Sequence, residues 1–312
     1  MADVPFISII ICTYNRADYL RDTLRSLLQT DALPNQFEVL IINNNATDAT
    51  PAVIREAQKT YDAFQIRHIR EKKQGLSHAR NRGIREATAP IVLFLDDDIR
   101  TTPNYIPAWI SFFQSHPEAS GGGGKIHVQF DDPRPPWMSY FLLPLLGRHD
   151  LGNSIKPYPT NKYPFGGNMA FRCEIFDRYG YFDTDLGRQG RKLIASEEKE
   201  FYHRLAASER IYYLPKAFIY HRVSKDRLTQ AFIRKQALGL GHSLALQLHD
   251  APTHKIWATG SGEIAKFIAS LGLATGYSFA RQYSKATMLL KFRKWIWQGY
   301  FQVKNSIQNK EA

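Results

Sequence analysis

The run Ile91-Val92-Leu93-Phe94-Leu95-Asp96-Asp97-Asp98 constrains this chain more than any other stretch. Consecutive apolar residues, β-branched at the start, suit a strand buried on both faces. Three carboxylates follow where that strand must emerge. Neighbouring like charges repel by roughly 1 kcal/mol per pair in water, and more where solvent is thin, so a cation is expected beside them. Two readings are open at this point. One is a solvated acidic turn ahead of a helix near Pro103 and Pro107. The other is a set of hard oxygen ligands for a divalent cation at the C-terminal edge of a parallel sheet, where open α/β folds bind ligands. Residues two apart in extended backbone face the same way, so Asp96 and Asp98 can converge on one ligand.

The chain around this run can bury a full core, with 312 residues and 44% hydrophobic content. Cys12 and Cys173 are too few for a disulfide framework and suit a reducing compartment. The first residues lack a basic leader region, and no stretch supplies the ~20 uncharged apolar residues of a spanning helix. A cytoplasmic protein is therefore expected. The net charge of +12 calls for an anionic partner. Its distribution is uneven: from Arg222 onward fourteen Lys/Arg face four Asp/Glu, so ten of the twelve charges lie there.

Taken in order, Phe6–Cys12 reads as a strand ended by Thr13-Tyr14-Asn15-Arg16, and Asp18 precedes a helix over Tyr19–Gln29 with Leu20, Leu24, Leu27 and Leu28 on one face. Phe37–Ile42 is a second strand, stopped by Asn43-Asn44-Asn45, and Pro51 opens a second helix. Ile66–Ile69 is a short third strand, and Gly75–Ala87 a third helix leading into the Ile91 strand. Such alternation implies a parallel sheet with right-handed crossovers. The polar turns after the strands then meet at one edge, and a phosphate-bearing ligand with a metal explains them better than an idle acidic turn. No Gly-x-Gly-x-x-Gly follows the first strand and no Gly-Lys-Ser/Thr loop appears, which argues against dinucleotide oxidoreductases and P-loop NTPases. Gly121–Gly124 reads as a flexible turn before a strand over Lys125–Phe130.

These residues resemble family 2 glycosyltransferases of the GT-A fold across roughly residues 5 to 222. The resemblance rests on Ile9–Arg16, Ile42–Asp48, Gly75–Asn81, Phe94–Asp98, Phe165–Phe171 and Gly180–Asp183, in that order. It implies an α/β fold: a GT-A (Rossmann-like) mixed, mainly parallel sheet flanked by helices, with a helical C-terminal appendage. It also implies an inverting enzyme that moves a sugar from a nucleoside-diphosphate donor to a hydroxyl acceptor. Asp98 would bind Mn²⁺ or Mg²⁺ bridging the donor phosphates. Asp96 and Asp97 would contact the nucleoside, and Thr13, Tyr14, Asn15 and Arg80 the base and ribose. Arg16, Asn43, Asn44, Gly75, Gly167 and Asn168 fall in the same donor-binding motifs. Asn43 departs from the family's usual Asp; an amide both donates and accepts, so uracil stays open and a UDP-sugar is the favoured donor.

Further on, residues 131–165 mix prolines with Trp137, Tyr140, Phe141, Tyr158 and Tyr163. They read as a lid or sugar platform, with an apolar brace as the alternative. Gly187–Gly190 reads as a flexible stretch, and Ser196-Glu197-Glu198 opens a helix. An acidic first turn is ordinary dipole compensation. In the family a Glu-Asp pair here supplies the general base, which implies Glu198, with Glu197 beside it. Ile211–Leu214 and Ala217–Tyr220 read as short strands ending in His221. The family's Pro-x-Ala-x-x-x-His pattern implies His221 as a further metal ligand.

Beyond Arg222 the resemblance thins. The expected division is a catalytic domain over 1–222, with a nucleotide-sugar half to about 130 and an acceptor half after it, and a basic helical region over 223–312. Lys266, Arg281, Lys285, Lys291, Arg293 and Lys294 with Trp295 and Trp297 point to an interfacial helix on an anionic membrane. The alternative is a helical cover. The expectation is thus a glycosyltransferase peripheral to the inner membrane face, its acceptor a glycan or lipid-linked hydroxyl and its oligomeric state open. A nucleotidyltransferase would carry a Gly-rich basic loop after the first strand, which Thr13-Tyr14-Asn15 is not. A nucleic-acid-binding protein is the non-enzymatic rival, and no nucleic-acid motif appears.

Overall fold

The structure, a computed structural model, describes residues 4–159, 162–186, 197–249 and 252–311. The Gly187–Gly190 stretch and Ser196 lie outside the described residues. Strand and helix alternate from the start: β1 (Ile7–Thr13), α1 (Ala17–Leu28), β2 (Phe37–Asn43), α2 (Thr50–Thr60), β3 (Gln65–Arg70), α3 (Leu76–Glu86) and β4 (Ile91–Asp96). The apolar runs β1, β2 and β4 are buried along nearly their whole length, as strands covered on both faces must be. β3 alternates buried and exposed residues and forms one end of the sheet. Parallel pairing sets Thr13 level with Asn43 and Cys12 level with Asp96, so three strands release their polar turns at one edge.

The chain continues through β5 (Ile99–Thr101), α4 (Tyr105–Ser115), β6 (Gly121–Phe130), β7 (Lys156–Pro157), β8 (Asn168–Arg172), α5 (Glu174–Tyr179), α6 (Glu197–Leu205) and β9 (Ile211–Val223). The sheet runs β3-β2-β1-β4-β8-β6-β9-β5, with β7 beside β9. It is parallel from β3 to β4. β8 is antiparallel to β4 and β6, and β5 and β7 are antiparallel to β9. Alternate strand residues feed two cores: Ile9 and Ile11 meet Leu24 and Trp109, whereas Ile10 and Phe94 meet Phe176 and Phe201. This is a helix–sheet–helix sandwich.

Two details depart from the sequence reading. Gly121–Gly124 is no turn but the buried start of β6. A Cβ at Gly124 would sit 2.0 Å from the Ala217 carbonyl oxygen, and one at Gly123 2.3 Å from the Tyr158 hydroxyl. Glycine is there to let backbone and side chains close in, not to bend. The two short strands before His221 are one strand, β9. Pro215 falls between the part paired with β7 (Tyr212, Tyr213) and the part paired with β5 (Ile219–His221), where its missing N–H breaks neither of those ladders.

The chain packs as two units, one of Met1–His127 with Gly147–Arg222, the other of Val128–Leu146 with Val223–Ala312. The Pro-rich stretch is therefore shared: its first part, including the short helix Tyr140–Leu146, belongs to the second unit. That unit also holds α7 (Gln230–His249) and α9 (Tyr283–Glu311) around Met138, Leu142, Ile233, Met288, Phe292 and Ile296, with α8 (Thr253–Phe279) against α9, where Arg293 meets Ser270 and Glu263. α7 and α9 cross backbone to backbone. A Cβ at Gly241 would lie 2.0 Å from the Ile296 carbonyl oxygen, and one at Gly299 2.2 Å from that of Leu238. Trp295 packs against this core, and Trp297 stacks on the half-exposed Phe301; both are partly buried. Among the described residues, no helix is long and apolar enough to cross a membrane.

Candidate active site

The carboxylates after β4 divide by burial: Asp97 and Asp98 are buried, while Asp96 is partly open. Buried charges need partners. Arg16, at the turn after β1, supplies both: its guanidinium donates to Asp97 Oδ1 at 2.9 Å and to Asp98 Oδ2 at 2.7 Å. Thr13 Oγ1 donates to Asp97 Oδ2 at 2.7 Å. Burial pushes the Asp97 carboxyl up to about 7 against the pull of Arg16, with Asp98 adding to the rise. Arg16 works against its own burial cost, and Asp97 and Asp98 hold its pKa above the ordinary value. The β5–β9 pairing sets Ile99 opposite His221 and so brings His221 Nε2 to 3.3 Å from the same Asp98 Oδ2. The carboxylate and imidazole lie 123 positions apart in numbering but adjoin through one register.

The asparagines do scaffold work. Asn15, at φ 53°, accepts from the Thr47 amide at 2.7 Å and ties the turn after β1 to the turn after β2. Asn43 Oδ1 accepts from the Ala46 amide at 2.8 Å. Asn44 donates to the Glu71 and Lys73 carbonyls and accepts from the Gly75 amide, which sets the start of α3. Gly75 holds φ 143°, a conformation a side chain would resist. Asn168 is fully buried, accepting from the Tyr105 hydroxyl and donating to the Lys125 and Ala217 carbonyls. Tyr14, by contrast, is 44% exposed at the same edge.

Arg80 has acceptors that the sequence reading does not name. It is buried on α3 and donates to Glu197 Oε1 at 2.9 Å and Glu198 Oε1 at 3.4 Å. The Glu198 carboxyl is raised above the usual carboxylate range by burial; Arg80 opposes this and Glu197 adds to it. Glu197 is buried, while the Glu198 side chain keeps 19% exposure. Asn81, next on α3, exchanges two hydrogen bonds with the Phe182 backbone and anchors the segment ahead of the pair.

Gly166 escapes notice in the sequence, where it is simply the first of two glycines. A Cβ there would fall 2.1 Å from Arg80 Nη2 and 2.2 Å from Glu198 Oε1, and one at Gly167 2.5 Å from Asp96 Oδ2. The two glycines thus join the glutamate pair to the acidic edge. Among the described residues no three His, Cys, Asp or Glu enclose a metal by themselves. Asp98 with His221 is an open donor pair, suited to a cation that draws its remaining ligands from phosphates and water.

Comparison with known proteins agrees with this layout. A relative from Haloferax volcanii, a glucosyl-dolichyl phosphate glucuronosyltransferase, is 23% identical over 230 residues, covering 71% of this chain and 70% of the relative. Mannosyltransferase PcManGT from Pyrobaculum calidifontis, solved with GDP-Man and Mn²⁺, superposes with a TM-score of 0.63 at 19% identity, over 96% of this chain and 87% of that one. S. aureus TarS 1-349, solved with UDP-GlcNAc, gives 0.56 at 17% identity over 98% and 92%. These likenesses are to GT-A glycosyltransferases and carry the fold. The model of glycosyl transferase family 2 matches residues 8–180, from β1 through the acidic edge to the end of α5. A match over more than half the chain, running through the turns that build the site, makes this protein a member of glycosyl transferase family 2.

Proposed function

We propose that the protein moves a sugar from a nucleoside-diphosphate donor to a hydroxyl acceptor by single displacement, with inversion at the anomeric carbon. The observation that carries this reading is the continuity of Glu198, Gly166–Gly167 and Asp96–Asp98. One end is a carboxylate of raised pKa and the other a donor pair for a cation, with Gly166 and Gly167 beside Arg80 between them. Nucleoside and diphosphate belong at the acidic edge, with exposed Tyr14 for the base and the partly open Asp96 for the nucleoside. Asp98 and His221 would hold Mn²⁺ or Mg²⁺, which when bound neutralises the departing diphosphate.

A free alcohol is a poor nucleophile, so a group must take its proton as the oxygen attacks. Glu198 is that group. Arg80 fixes its orientation, and its side chain keeps some exposure through which an acceptor would reach it. Attack opposite the leaving diphosphate inverts the sugar carbon. The basic residues after Arg222, together with the dolichyl-phosphate relative, support a lipid-linked acceptor and a peripheral position on the inner membrane face.

Calorimetric titration with UDP- and GDP-sugars, with and without Mn²⁺, tests this reading. One donor should bind with metal-dependent affinity and be hydrolysed slowly without acceptor; a chain that binds none of them is not this enzyme. The same titration has a second arm. Arg16 and the cation compete for Asp98 Oδ2, so Arg16→Gln should bind Mn²⁺ alone at least about tenfold more tightly than the native chain, since a charge within a few ångströms is removed. Unchanged affinity for the metal alone would show that Arg16 does not hold its place.

A further inference from the structure

The C-terminal hairpin carries an apolar surface on a different helix from the one its tryptophans mark. On α8, Trp257, Ile264, Ile268, Leu271 and Phe279 are 75%, 56%, 62%, 42% and 86% exposed. Their spacing of three, four, seven and eight residues lines one helical face. At 1.5 Å per residue the stripe is about 33 Å long. Only Lys266 is charged between Ile264 and Ala280. Beside the stripe, α8 and α9 enclose a groove of about 750 Å³, lined by Leu271, Ala274, Phe279 and Tyr283 and edged by Lys291 and Lys294.

A patch of this kind on a soluble chain marks an interaction surface, and charge decides what covers it. From Thr253 to Glu311, α8 and α9 with the turn between them carry nine Lys/Arg and two Asp/Glu, and one of the two, Glu263, pairs with Lys266 and Arg293. Gly272 and Gly276 are open enough for a second helix to approach. A second copy of this face, however, would set two predominantly basic surfaces against each other. Anionic lipid complements both features: headgroups meet the lysines and acyl chains take the stripe.

We propose that α8 lies in the interface of an anionic membrane, with Trp257, Ile264, Ile268, Leu271 and Phe279 inserted and Lys291 and Lys294 at the headgroups. This deepens the peripheral placement given above and rests on it. Trp295 packs against the core of its unit, and the more exposed Trp257 is the indole at the boundary. An enzyme held this way meets a lipid-linked hydroxyl in the plane of the membrane.

The test uses the full chain and phosphatidylcholine vesicles with and without phosphatidylglycerol, with nucleotide-sugar binding measured in parallel. The native chain should pellet with anionic vesicles, be released by salt, and largely ignore neutral ones. Ile268→Glu with Phe279→Glu should cut the bound fraction at least ~10-fold, the loss of two buried apolar side chains. Lys291→Glu with Lys294→Glu should abolish the preference for anionic lipid. All should keep native nucleotide-sugar affinity, so loss of that binding would report a failure of the donor site and not of this surface. Brominated acyl chains should quench the native protein strongly and Trp257→Phe much less, with Trp295→Phe close to native. Pelleting unaffected by the α8 pair, or quenching unaffected by Trp257→Phe, would overturn the proposal. So would a native chain that ignores vesicles and forms a dimer that the α8 pair dissolves, which would assign the face to a second copy.

Discussion

Glu198→Gln should lower turnover by roughly 10²–10⁴-fold, the contribution of a positioned general base, with donor affinity nearly unchanged. The amide keeps the size of the side chain and can still face Arg80, so binding and fold persist while the proton acceptor is gone. Turnover at saturating donor, set against calorimetric donor affinity, separates the two. The pH profile adds a signed expectation. The base works ionised, so activity rises with pH through the Glu198 pKa, and burial lifts that pKa above 4.5. Glu197 contributes to the rise, so Glu197→Gln should move the acid limb to lower pH and leave an active enzyme. If Glu197→Gln instead loses turnover while Glu198→Gln keeps it, the base is the neighbouring residue.

Asp98→Ala carries the second large effect. It should erase the metal-dependent part of donor binding, a loss of roughly 10–100-fold for a charged contact worth about 1.5–3 kcal/mol. The fold should survive. Arg16 keeps Asp97 as partner, and the cluster loses one of three crowded negative charges, so the metal-free melting temperature should hold or rise. Calorimetry in Mn²⁺ and in chelator, with a melting curve for each protein, measures both. An Asp98→Ala variant with native metal-dependent affinity would remove Asp98 from the donor site.

Much of this was readable from residue order because strand and turn are local properties. Ile91–Leu95 is long and apolar enough to be a central strand in any α/β context, and parallel neighbours necessarily deliver Thr13, Asn43 and Asp96 to one edge. Side-chain partners were less legible. An asparagine in a turn looks the same whether it faces a ligand or a backbone amide, and Asn15, Asn44 and Asn168 spend their hydrogen bonds on backbone. Arg80 has two acceptors near hand in the fold, but they lie across a segment more than a hundred residues long. The glycines of β6 and the Gly241–Gly299 crossing are set by tertiary approach, which composition reports only as flexibility. The tail's charge was visible in the sequence; the exposed face was not, because the paired tryptophans Trp295 and Trp297 draw attention to α9 and the stripe belongs to α8.

The most direct measurement of the central claim is a structure of the chain with Mn²⁺ and a nucleoside diphosphate. The cation should contact Asp98 and His221, with Arg16 withdrawn from Asp98, and the diphosphate should lie between that cation and Gly166–Gly167 on the side that Glu198 faces. A nucleotide bound away from the Asp96–Asp98 edge, or a cation there that Asp98 does not touch, would contradict the account.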